Sequence, residues 1–95
     1  MQEATSALMQ AAPAFAAFYE DLRNDCIARM HEGDFEALYV TERSGWLDNG
    51  FVTGRDLELA RALSNTYAYQ WWKASHEFNN WLDRTKRRLA GKLLP

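Results

Sequence analysis

Cysteine occurs once in this 95-residue chain, at Cys26, so no disulfide can close within it and no cysteine-based metal cluster exists. Cys26 falls in an apolar stripe, where a thiol serves as a small hydrophobe. Proline occurs twice, and no apolar run approaches the roughly 20 residues that cross a bilayer. The first residues, Met1-Gln2-Glu3, lack the positive n-region of a secretory signal, which makes a cytoplasmic location the expectation.

The motifs that would carry chemistry are missing too. Gly50-Phe51-Val52-Thr53-Gly54-Arg55 has no lysine, and Gly45, Gly50 and Gly54 have the wrong spacing for a phosphate or dinucleotide loop. His31-Glu32 begins like a zinc-protease motif, but Phe35 stands where the second histidine belongs. Placing Gly50 at the sixth position of a calcium loop puts Gly45 first and Leu47 third, so two ligands are lost. A nucleophile, base and orienting group must converge, and nothing local gathers Cys26, His31 and His76. Glu20, Asp21 and Asp25 lie where a solvated helix face puts them. The expectation is a protein without catalytic residues, metal or cofactor.

What is present is aromatic surface and uneven charge. Aromatics make up 14% of the chain, with four Trp, which is high for its length. Residues 1–60 carry eleven acidic and four basic side chains, a balance of −7; residues 61–95 carry two acidic and seven basic, a balance of +5. Such polarity steers a partner or lets the two halves attract each other.

Leu8, Ala12, Phe15, Tyr19, Leu22, Cys26 and Met30 recur at helical steps. Pro13 suits a first turn, so the main helix is expected to start near it, although the stripe stays in phase across it. Gly33 is a natural stop and Asp34 a natural cap for a short helix to about Glu42, although Tyr39, Val40 and Thr41 favour a strand over Phe35 to Thr41 as the alternative. Over 44–52, Asn49-Gly50 between short apolar pairs predicts an ordered loop or a minor β-hairpin, with Trp46 and Phe51 packed on helices.

From Thr53 the pattern is helical to Gly91, which should end it. One helix over 53–90 would be about 57 Å long, against a radius of gyration of about 12 Å for a compact chain of this size. It must break at the weak helix formers Ser64-Asn65-Thr66, or project and be covered by another chain. The fold class predicted is all-α: a helical hairpin or small helical bundle, one domain over 1–95, with a long aromatic C-terminal helix.

That helix has two aromatic faces. Tyr67, Trp71, Ala74, Phe78 and Trp81 form the larger stripe, expected to be core. Tyr69, Trp72 and His76 lie on the other side, with Arg84 and Arg87 continuing that surface, and form the expected partner face. On this reading Trp71→Ala should destabilise the fold and Trp72→Ala should cost binding. The expected function is a non-catalytic protein-binding factor, such as an adaptor, an assembly subunit or an inhibitor of a larger protein machine of phage or bacterial type. Its partner would be a larger protein or a second copy in a homodimer. The alternative is a nucleic-acid-associated factor using Lys86, Arg87 and Arg88, although the acidic pI of about 5.6 opposes it.

Overall fold

A computed structural model describes the backbone of residues 2–93 and the side chains of residues 14–92. The side chains of Leu8, Ala12 and Pro13 lie outside the described residues. The elements are α1 (Gln2–His31), α2 (Phe35–Arg43), α3 (Gly54–Ser64) and α4 (Tyr67–Leu93), with no strand among the described residues. The chain is all-α, as its periodicity predicts. It divides into two compact units, residues 1–60 and 61–95, at the point where the charge balance changes sign.

In the first unit, α1 runs through Pro13, so the stripe that stays in phase across the proline, rather than the proline itself, locates the helix. The C-terminal half of that stripe is used internally. Cys26 and Met30 are buried and Leu22 is half-buried, while Phe15, Phe18 and Tyr19 are exposed. α1 ends in a Schellman turn. Gly33 takes φ +87°, the Asp34 N–H donates to the Arg29 carbonyl at 3.0 Å, and the Gly33 N–H donates to Met30 at 3.0 Å.

Asp34 then starts α2. Its Oδ1 accepts from the N–H groups of Glu36 (3.0 Å) and Ala37 (3.3 Å), and its Oδ2 accepts from Arg29 Nε at 3.0 Å. One carboxylate therefore caps the second helix and ties it to the last turns of the first. The Arg29 hydrogen bond, helped by those backbone donors, holds the Asp34 carboxyl below its ordinary pKa. α2 packs along α1 with Ala37, Leu38 and Thr41 buried, and the Thr41 hydroxyl donates to the Ala37 carbonyl at 2.8 Å.

Residues 44–53 form a compact loop and no hairpin. A two-residue type I′ turn needs positive φ at both central positions, but only Gly50 (φ +82°) has it and Asn49 does not. Asn49 Oδ1 instead accepts from the Phe51 N–H at 2.9 Å, and a single bond from Val52 N–H to the Trp46 carbonyl (3.0 Å) closes the loop. The expected packing of its side chains does occur. Trp46 and Val52 join Cys26 in the core, with Leu22, Ile27, Val40, Leu47, Phe51 and Leu57 around them. Trp46 and Phe51 meet edge to face at 5.3 Å. Arg23 lies over the Phe51 ring (5.2 Å) and donates to its carbonyl (3.3 Å), and His31 pairs with Asp56 at 2.9 Å.

In the second unit, the end of α3 is unwound by its own side chains. The hydroxyls of Ser64 and Thr66 donate to the carbonyls of Arg61 (2.9 Å) and Leu63 (2.6 Å). α4 continues past Gly91 to Leu93, because a glycine in the last turns weakens a helix without having to end it.

Asp34→Ala should lower the stability of the fold by about 1–2 kcal/mol, the usual cost of an N-cap. Asp34→Asn, which keeps the cap but not the ion pair, should cost less. Because the Asp34 pKa is depressed on folding, its contribution is present above the ordinary carboxylate pKa and is lost as pH falls through the folded value. Urea unfolding at neutral and acid pH checks this: the gap between wild type and Asp34→Ala should narrow on acidification.

Candidate functional site

The arrangement of α4 is set at its first turn. The Thr66 hydroxyl accepts from the Tyr69 N–H at 3.2 Å, and the Gln70 amide reaches back to the Ser64 carbonyl. This fixes where the helix begins and hence which residues share each side, since consecutive residues lie 100° apart.

On one side, Tyr69, Trp72, His76 and Asn80 form a ladder. Tyr69 stacks on Trp72 with centroids 6.0 Å apart, Trp72 stacks on His76 at 4.8 Å, and Asn80 Nδ2 meets His76 Nε2 at 3.2 Å. Tyr69 is fully buried; Trp72, Lys73 and His76 are half-buried. On the other side, Tyr67 is 84% exposed, Trp71 69%, Phe78 58% and Trp81 52%, with Leu89 exposed beyond them. Trp71, Ala74, Ser75, Phe78 and Asn79 line a shallow groove on this side.

The accessibility of the two faces is therefore the reverse of what amphipathicity predicts. The stripe expected to be core is open, and Tyr69, at the centre of the expected partner face, is inaccessible. Trp72 and His76 are partly reachable, and Arg84 and Arg87 are exposed on the turns beyond. The larger stripe wins on apolar content, yet apolar content does not decide whether the cover comes from the same chain. Tyr67, Trp71, Ala74, Phe78, Trp81 and Thr85 are separated by four, three, four, three and four residues, the seven-residue repeat of paired helices.

Lys86, Arg87 and Arg88 are all exposed. Three successive residues fan through about 200° of the helix, so they present no common basic face. Neither is there a cluster of three His, Cys, Asp or Glu side chains able to hold a metal among the described residues. The Cys26 thiol is pushed up in pKa by burial, the opposite of an activated nucleophile. No described helix is long and apolar enough to cross a membrane. Comparison with protein-family models, curated proteins and solved structures gives no match.

Tyr69→Ala should destabilise the protein by about 3–5 kcal/mol, as truncation of large buried rings does. Trp71→Ala should change stability by no more than about 0.5 kcal/mol, since its ring is on the surface. Denaturant unfolding of the two variants checks the assignment of faces; a larger loss for Trp71→Ala would reverse it.

Proposed function

We propose that the chain is a non-catalytic protein-binding factor whose α4 docks a helix of another polypeptide on its open aromatic face. The observation that carries this reading is the row Tyr67, Trp71, Phe78 and Trp81, each more than half exposed on one side of one helix. Large rings with polar tips are the side chains most enriched at the centres of protein interfaces.

The size of the row supports a specific interface. Aromatic side chains bury roughly 150–250 Å² each, so at these exposures the four rings offer on the order of 500 Å². That reaches the upper range of the largest apolar patch on ordinary monomers, roughly 300–600 Å². The seven-residue repeat narrows the partner's shape, because a, d spacing of this kind is complementary to a second helix laid nearly parallel or antiparallel to the first.

A photo-crosslinking amino acid at Phe78, introduced in the native host, should capture a polypeptide, whereas one at exposed Arg87, about 180° around the helix, should not. Capture from Arg87 alone would move the interface to the Tyr69 side. No capture from either position would remove protein docking from α4.

A further inference from the structure

We infer that the helix received by α4 is α4 of a second copy of this chain, packed antiparallel about a two-fold axis between Asn79 and Asn80. This deepens the docking reading above and rests on it.

Charge selects the orientation. In a parallel pair, Arg88 of one copy would meet Arg88 of the other in the seam, with the flanking Arg84 of both copies at the same end. Reversing one helix separates the two basic ends. It also places Glu77, which flanks the stripe one residue before Phe78, beside Arg84 of the second copy, which flanks it one residue before Thr85. The symmetry makes this ion pair twice. Glu77 and Arg84 are both exposed.

Charge also selects the register. With the axis between Asn79 and Asn80, Phe78 of each copy packs on Trp81 of the other. Thr85 then packs against Ala74, one of the residues lining the groove. Trp71 meets Arg88 of the second copy, a guanidinium over an indole face. Sliding by one repeat toward the helix start would instead bring Glu77 against Glu77. The outward stripe contributes on the order of 500 Å² of aromatic surface per copy, to which Ala74, Leu82, Thr85 and Leu89 add. A standard interface needs about 800 Å² per partner.

Sedimentation equilibrium from low micromolar to several hundred micromolar, on wild type and four variants, tests this. Wild type should be a reversible dimer. Glu77→Arg and Arg84→Glu should each weaken dimerisation at least about tenfold, since each turns two attractions into two repulsions. The double variant Glu77→Arg/Arg84→Glu should recover most of the loss. Phe78→Glu should be monomeric with an unchanged circular dichroism spectrum, because its ring is on the surface.

A dimer indifferent to either single exchange, or strengthened by Arg84→Glu, would overturn the antiparallel register. A wild-type monomer at all concentrations would overturn the second copy as occupant; crosslinking of Phe78 to a different polypeptide would then leave the docking reading standing. A dimer that survives Phe78→Glu would place self-association elsewhere and overturn the inference.

Discussion

A helix with aromatic rings on two opposite sides demands more cover than a small chain can give. A chain of this length buries only about 60–65% of the surface its unfolded form exposes, and rings are the most expensive groups to leave in water. On α4 the burial goes to the side bearing Tyr69, Trp72 and His76, where one ring is fully enclosed and the next two stack in series. The side with more apolar surface stays open. The division of one helix into a committed face and an available face is the constraint from which the functional reading follows.

The rest of the molecule is held by short-range devices that need little core. Asp34 caps α2, accepts from Arg29 and follows the Gly33 turn, so two helix ends and one ion pair meet at a single residue. Arg23 fastens α1 to the 44–53 loop by ring contact and carbonyl bond together. Thr66 separates α3 from α4 and sets the rotation of everything after it. The Asp34 and Thr66 contacts are local in sequence, and the Arg23 contact reaches across 28 residues to the loop that closes the buried cluster of Cys26, Trp46 and Val52.

Much of this was legible in the residues. Gly33 as a stop, Asp34 as a cap, Cys26 as core filler and Ser64-Asn65-Thr66 as a break all follow from local chemistry, and the structure has each of them. The start of α1 was less legible, because proline is tolerated where a helix can give up one hydrogen bond. Of the two forms open to 44–52, an ordered loop and a minor hairpin, the structure has the loop, because Asn49-Gly50 makes a type I′ turn only when Asn also adopts positive φ, which depends on neighbours that sequence does not display. Which side of α4 carries the buried ring was not legible at all. Hydrophobic periodicity ranks faces by apolar content, and the Tyr67–Trp81 row ranks first whether its cover is its own chain or another.

The claim on which the account rests is that Trp71 and Trp81 face solvent when the chain is alone, while Trp46 does not. Fluorine NMR of protein labelled with 5-fluorotryptophan, assigned by single Trp→Phe variants, reads each of the four rings separately. In dilute solution the account predicts large H₂O/D₂O solvent shifts for Trp71 and Trp81, an intermediate shift for Trp72 and almost none for Trp46. Protected Trp71 and Trp81 resonances in the dilute monomer would contradict it.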